Sequence, residues 1–273
     1  MNLVIMKNKI SPVFIINLKK DIEKKEYMQE LCQKYNLQIE FMEAVDGRAL
    51  SEEAIAEVYS SKRTIDVFGR ELSRGEIGCA LSHKTIYEKI LHDNIEIALV
   101  LEDDINFNED IITLLNLKNT FPQNWELILL GHHTDYSREV DTVASIWNQM
   151  QLTANYTLAR PSEKGYGTYG YLITKNGAIK LLGNLDIIEK PIDHYTGDSQ
   201  YINLYIINPT PIKIHEQLSE DHNSMHERNL LNSSQNLETF KNKVRQLLTR
   251  LLLLKSFSIM KSFFKQFKIL KKY

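Results

Sequence analysis

The sequence predicts an α/β fold organised on a parallel sheet, and three observations predict it. Two apolar runs, Val13-Phe14-Ile15-Ile16-Asn17-Leu18 and Ile97-Ala98-Leu99-Val100-Leu101, read as strands buried on both faces. The first is followed by a charged helical segment, Asp21 to about Tyr35, and by a second strand near Leu37 to Met42, a β–α–β opening. The second is fed by a helix whose start is marked by Ser73-Arg74-Gly75-Glu76, an S-x-x-E capping box.

Taken in order, the opening helix offers Tyr27, Met28, Leu31 and Cys32 to one face. The β–α–β unit sets Asn17 and Asp46 at two strand ends on one side of the sheet. Polar groups there could hold a nucleotide's base and ribose; an Asp46-Gly47 turn is the plainer alternative. Ser51 to Tyr59 reads as a short helix and the segment around Gly69 as irregular. The helix from Ser73 carries Ile77, Ala80, Leu81, Tyr87 and Leu91 roughly on one face, with Ser82 and His83 inside it. A lone helical His is usually structural. Here Gly78, Cys79 and Ala80 beside it let a ligand or another backbone come close.

A helix from about Glu109 to Leu117 then precedes a buried strand, Trp125 to Gly131, ended by His132 and His133, whose spacing does not suit a single metal. Asp135 to Arg160 shows weak periodicity. Tyr166-Gly167-Thr168-Tyr169-Gly170-Tyr171-Leu172-Ile173 reads as a Gly-containing loop entering a strand, and a short helix follows from Asn176 to about Leu182. Glycines interleaved with tyrosines suit sugar binding, although β propensity also selects Tyr. Lys190 to Asp198 is a polar loop in which either Asp193 or Asp198 suits a general base. Ile206-Ile207 and Ile212-Lys213-Ile214 are late strands, the second ended by His215. Ser219 to Gln235, rich in Asn and Ser, reads as a linker or lid.

The chemistry concentrates at Glu102-Asp103-Asp104, three acids arriving where the Ile97 strand ends. Adjacent carboxylates repel, and desolvating them costs several kcal/mol unless a cation is present. A divalent ion supplies one, and Mg²⁺ or Mn²⁺ prefers oxygen ligands. Open α/β sheets also bind ligands at the carboxyl ends of their strands. For acids alone, a solvated turn is the competing reading.

Composition is ordinary for a globular chain, with 43% hydrophobic and 25% charged residues, and 273 residues suffice for one large domain with an appendage. The net charge of −2 hides a split. From Lys241 to Tyr273 there are ten Lys or Arg and no acid, leaving 23 basic against 35 acidic residues in the first 240. Lys261, Lys265, Lys268 and Lys272 share one helical face, and Met260, Phe263, Phe264, Phe267 and Leu270 another. That pattern is expected of an amphipathic helix lying on an anionic membrane, with a partner-binding helix as the alternative. The two cysteines, Cys32 and Cys79, form no disulfide framework or zinc spacing. The opening MNLVIMKNKI is too short and too polar for a signal peptide, and no run approaches the roughly 18 apolar residues of a membrane span. A cytoplasmic, reducing setting is expected, with no nucleic-acid partner.

Together these stretches resemble glycosyltransferase family 25, the lipooligosaccharide glycosyltransferases of Gram-negative bacteria. The resemblance is carried by VFIINLKKDIEKKEYM at 13–28, EAVDGRAL at 43–50, LSRGEIGCALSHKTIYEKI at 72–90 and ALVLEDDINF at 98–107. YGTYGYLITKNGAIKLL at 166–182 and PIDHYTGD at 191–198 extend it, so that it covers about residues 12 to 220. One departure is Lys20, where the family usually has Arg.

The resemblance implies a GT-A-like, Rossmann-type nucleotide-sugar-binding domain with a mixed central sheet over residues 1–220. A linker or lid at 221–236 and the basic amphipathic helix at 237–273 complete the chain. It implies a UDP-hexose donor, galactose or glucose, inversion at the anomeric carbon and a lipooligosaccharide outer-core acceptor. Glu102-Asp103-Asp104 stands where the family keeps its variant of the DxD metal motif. Glu102, Asp104 and His215 are then the expected ligands of a divalent metal, Mn²⁺ favoured and Mg²⁺ second. Asn17, Leu18, Asp46, Ser82, His83, Asp103, Gly167 and Thr168 are expected on the nucleotide-sugar side, Asp103 bracing the turn or meeting ribose. Inversion requires a base opposite the diphosphate, for which Asp198 is preferred to Asp193. The expected site of action is the cytoplasmic face of the inner membrane. A soluble or protein acceptor, and an inactive nucleotide-sugar-binding paralogue, are the competing readings.

Overall fold

The structure, a computed structural model, describes residues 11–134 and 140–219, which lie in the first of the chain's two units, Met1–Asp221. The basic amphipathic helix and nearly all of the linker read from the sequence lie outside the described residues.

The opening unit is β1 (Val13–Asn17), α1 (Ile22–Lys34) and β2 (Ile39–Glu43). Next come α2 (Glu52–Val58), α3 (Ser61–Phe68) and the long α4 (Arg74–His92), which feeds β3 (Ile97–Glu102). The chain continues through β4 (Ile105–Phe107), α5 (Asp110–Asn116), a 3₁₀ turn (Leu117–Thr120) and β5 (Leu127–His133). Then follow β6 (Met150–Gln151), β7 (Thr157–Ala159), β8 (Tyr166–Thr174), α6 (Lys175–Leu182), α7 (Asp193–Thr196), β9 (Leu204–Asn208) and β10 (Ile212–Ile214).

The main sheet has eight strands in the order β2-β1-β3-β8-β5-β9-β7-β6, and β4 pairs with β10 in a separate ribbon. Strands β2, β1 and β3 are parallel, β8 is antiparallel to both β3 and β5, and β9 is parallel to β5. Strands β2, β1, β3, β5 and β9 therefore end at one edge of the sheet, and β8, between β3 and β5, begins there. The expectation of a parallel sheet is corrected in the middle, and the mixed central sheet implied by the resemblance is found. Tyr166 to Ile173 is also strand throughout rather than a loop entering one, because β5 pairs with it from Tyr166 onward and β3 joins on the other side from Gly170.

Alternation along β1 and β3 explains their unbroken apolar runs. Phe14, Ile16, Ala98 and Val100 pack with Ile77, Ile86 and Ile90 of α4 in one cluster. Val13, Ile15, Leu99 and Leu101 pack with Met28 and Cys32 of α1 and Ile111 and Leu114 of α5 in the other. A sheet covered on both faces needs no polar stripe. The segment around Gly69, read as irregular, is instead α3 and its cap: Ser60 opens the helix and Gly69, at φ +90°, closes it. Short β4 was likewise not foreseen. Among the described residues, no helix is long and apolar enough to cross a membrane.

The capping box of α4 is formed as expected. Ser73 Oγ accepts from the Glu76 amide at 3.2 Å, and Glu76 Oε2 accepts from the Ser73 amide at 2.9 Å. Arg70 clamps the same carboxylate at 2.7 and 2.8 Å. Replacing Ser73 by Ala removes one half of the box and is expected to cost about 1 kcal/mol. Calorimetry should read this as a fall of roughly 2–4 °C in Tm; an unchanged Tm would contradict it.

Candidate active site

The carboxyl edge of the sheet gathers the polar residues. Strand β3 delivers Glu102, and β1, its parallel neighbour, delivers Asn17 beside it. Asn17 Nδ2 donates to Asp103 Oδ2 at 2.7 Å and to the Asp21 carbonyl at 3.1 Å, tying the strand end to the start of α1. One turn into that helix, Lys24 places its ammonium 3.5 Å from Asp103 Oδ1 and 4.0 Å from Asp104 Oδ2. Burial pushes the Asp103 carboxyl up; Lys24 and Asn17 oppose that, and Glu102 and Asp21 add to it. For Asp104, burial first and Glu102 next push the pKa up to about 7 against the pull of Lys24.

One ammonium therefore faces a tight group of three acids, which leaves Asp104 short of positive charge. The residues present fit a divalent cation: hard carboxylate oxygens, partly desolvated, at strand ends. His215 lies beside them, its amide donating to the Asp104 carbonyl at 2.7 Å and its ring packed edge-on to Tyr27 at 4.7 Å. Its Nδ1 is buried without a hydrogen-bond partner.

The other expected residues fall around this cluster in different ways. Thr168, in β8, donates to Glu102 Oε1 at 3.4 Å, so the strand that reverses the sheet also reaches the acids. Gly167, at φ +92°, lies where a Cβ would stand 2.3 Å from the Tyr169 ring. Leu18 contributes its carbonyl, which accepts from the Asp21 amide at 2.9 Å. Asp46 is paired with Lys20 at 2.8 Å, and the hydrogen bond and charge of Lys20 hold its carboxyl below the usual range.

Ser82 and His83 are buried within α4. Ser82 Oγ accepts from the Val45 amide at 2.9 Å and donates to the Gly78 carbonyl at 2.7 Å, which holds the Asp46 loop against α4. Gly47 and Gly78 permit that contact: a Cβ on Gly47 would stand 1.8 Å from the Arg74 carbonyl oxygen. His83 is fully buried and meets the acids only through Glu102, its Nε2 3.6 Å from Oε1.

The second acidic loop is folded onto the start of β8. The Gly165 amide donates to the Gly197 carbonyl at 2.8 Å, and a Cβ on Gly197 would collide with the Gly165 carbonyl at 1.5 Å. The two acids of this loop differ. Asp198 is buried, ion-paired with Lys164 at 2.7 Å, and accepts from the Gln200 amide at 2.9 Å. Burial alone would raise its pKa, but Lys164 and that amide outweigh it and hold the carboxyl low. Asp193 is half-buried, and its Oδ1 is without a hydrogen-bond partner.

β5 runs through His132 and ends at His133. His132 Nε2 donates to the Ile207 carbonyl at 2.8 Å and Nδ1 accepts from the Thr142 amide at 3.2 Å, so it is a neutral core histidine. Burial depresses its pKa, in keeping with that role. Lys24, Lys164 and the Tyr87–Tyr171 pair were not singled out in the sequence. Lys24 had a signal, a cation one turn beyond the first strand end; the others are brought in by distant segments.

The acid cluster makes a prediction about stability. Between about pH 4, where an unfolded Asp ionises, and about pH 7, folded Asp104 keeps its proton while the unfolded chain has lost it. The fold then binds more protons, so its stability falls as pH rises through that window, by up to roughly 4 kcal/mol from this group. In chelator, the urea midpoint should drop from pH 5 to pH 8, and Asp104→Asn should flatten the curve and raise the midpoint at pH 8. Equal slopes for the two proteins would refute the assignment.

A mixed α/β sheet with carboxylates massed at its carboxyl edge belongs to the class of folds that bind charged ligands at strand ends. The model of glycosyltransferase family 25 (LPS biosynthesis protein) matches residues 10–196. Procollagen galactosyltransferase 1-B of Xenopus laevis is 34% identical over 67% of this chain and 30% of its own length. A glycosyltransferase 25 family member of Aedes aegypti is 31% identical over 73% and 31%, and human procollagen galactosyltransferase 2 is 31% identical over 63% and 27%. A solved glycosyltransferase involved in glycosylation of the major capsid of PBCV-1 aligns with a TM-score of 0.29 at 13% identity, over 62% of this chain and 61% of that one. The chain belongs to glycosyltransferase family 25. It spans less than a third of the length of these curated relatives.

Proposed function

We propose that this chain is an inverting hexosyltransferase that moves galactose, or next glucose, from a UDP-sugar to a lipooligosaccharide outer-core acceptor. The observation that carries the proposal is the Glu102-Asp103-Asp104 cluster at the carboxyl edge, with Asp104 pushed up to about 7 by burial and by the neighbouring Glu102 carboxylate. A divalent ion held by Glu102 and Asp104, with His215 beside them, would supply the charge that stabilises a departing diphosphate; Mn²⁺ is favoured and Mg²⁺ second. Asn17 fixes Asp103, and Lys20 fixes Asp46, so two oriented carboxylates are offered to the nucleoside.

The acceptor hydroxyl needs a base with an available lone pair. The environments favour Asp193 over Asp198, whose Oδ2 is ion-paired with Lys164 at 2.7 Å and whose Oδ1 accepts from the Gln200 amide at 2.9 Å. Galactose is supported by the names of the relatives, and the lipooligosaccharide acceptor by the family's description and the basic, Phe-rich tail. With such an acceptor the enzyme would work as a peripheral protein on the cytoplasmic face of the inner membrane. The relatives are procollagen galactosyltransferases, and this favours a second reading, a protein acceptor.

The deciding experiment measures UDP release from UDP-galactose and UDP-glucose, with Mn²⁺ or chelator. Purified lipooligosaccharide and a collagen-type peptide serve as alternative acceptors. Acceptor-dependent release with lipooligosaccharide is expected; release only with the peptide would install the second reading, and no release with either would remove both.

A further inference from the structure

Glu102 has a second set of neighbours, of different chemistry from the acids. Cys79 and His83, one turn apart on the same face of α4, approach it so that a thiol sulfur, an imidazole nitrogen and a carboxylate oxygen all lie within 4.8 Å of one another. His83 is fully buried, and its Nε2 has no hydrogen-bond partner, since Glu102 Oε1 at 3.6 Å is too far to accept one. A buried polar atom left in that condition is costly and calls for an explanation.

The other side of the ring supplies it. His83 Nδ1 lies 2.8 Å from the Tyr171 hydroxyl, which lies 3.0 Å from the Tyr87 hydroxyl. With the proton on Nδ1, the ring donates to Tyr171 and Tyr171 donates to Tyr87. Nε2 is then a bare lone pair facing a carboxylate. Metal-binding histidines are held in this way, the remote N–H fixed by a buried acceptor.

We propose that Cys79, His83 and Glu102 form a binding site for a thiophilic divalent ion, with Zn²⁺ as the fitting case. Zinc takes sulfur at about 2.3 Å, and nitrogen and oxygen at about 2.0–2.2 Å, so ligand atoms around it stand roughly 3.3–3.8 Å apart. The three donors, within 4.8 Å of one another, need to close by up to about 1 Å, and His83 Nε2 and Glu102 Oε1, 3.6 Å apart, already stand at that spacing. Thiolate and imidazole separate this site from the all-oxygen preference of Mg²⁺ and Mn²⁺. Binding requires the thiolate and therefore releases the Cys79 proton. The site goes beyond the sugar-transfer reading and does not depend on it.

The test uses the full-length chain, stripped of metal by chelator, with Co²⁺ and Zn²⁺ as probes. One Co²⁺ per chain is expected to produce thiolate-to-metal charge-transfer absorption in the near ultraviolet, displaced by Zn²⁺. The band should survive Asp104→Asn, vanish in Cys79→Ser, and require at least tenfold more Co²⁺ in His83→Gln. On the unaltered chain, saturating Zn²⁺ should slow alkylation of Cys79 at least tenfold, read by peptide mass mapping. That measurement decides the matter if a variant fails to fold. Unprotected Cys79, or a charge-transfer band that persists in Cys79→Ser, would overturn the site. None of these readouts requires turnover, so failure of the metal site and failure of the transferase reading are separable.

Discussion

Asp104→Ala is expected to lower sugar transfer at least a hundredfold, or about 2.7 kcal/mol in the barrier, with the fold retained. The strand that carries it ends at Glu102, and Asp104 lies beyond the last sheet contact, so its side chain holds no ladder together. Its surroundings hold it at a cost, since burial and then Glu102 raise its pKa further than Lys24 and a backbone hydrogen bond lower it. Removing such a carboxylate relieves repulsion while deleting a charge that a cation would need. The variant should thus lose activity and metal response together, and resist urea at pH 8 at least as well as the parent. Steady-state rates across a Mn²⁺ titration, beside the urea curve, check both halves. A variant that turns over near the parental rate would dismiss the cluster as catalytic.

Asp193→Asn is expected to reduce kcat by roughly 10²- to 10⁴-fold while leaving UDP affinity within a factor of two or so. A base touches the acceptor hydroxyl and not the nucleotide, so the loss belongs in kcat. Asp198→Asn should behave differently. It removes the charge that Lys164 pairs with and loosens the turn held by the Gln200 amide, so it should lower thermal stability more than kcat. The comparison is made with a saturating acceptor and separate calorimetric titration of UDP. If Asp198→Asn silences turnover and Asp193→Asn does not, the two residues exchange roles.

Much of the site was legible because its residues sit at ends of strongly patterned elements. The apolar runs at Val13 and Ile97 placed Asn17 and the three acids at strand ends, and Ser73–Glu76 located the helix carrying His83. Direction was not legible. An apolar run records that a strand is buried and says nothing of which way it crosses the sheet, so the reversed β8 was missed. Side-chain destinations were missed for a related reason. Ser82 reads as a polar residue near a ligand, yet its hydroxyl is spent on Val45, 37 residues away in sequence. The Lys164–Asp198 ion pair was not legible either, because pairing across a folded loop leaves no periodic trace.

The placement of β8 also bears on how the chain emerges from the ribosome. Strands β3 and β5 are synthesised with only 24 residues between them, yet they never touch; β8, made later, fills the slot between them. Until Thr174 has been added, the growing chain holds β3 with one open flank and β5 with two. Such unpaired edges invite association with other chains. The nascent protein therefore passes through a window of about forty residues, from the end of β5 to the end of β8, in which chaperone cover matters most.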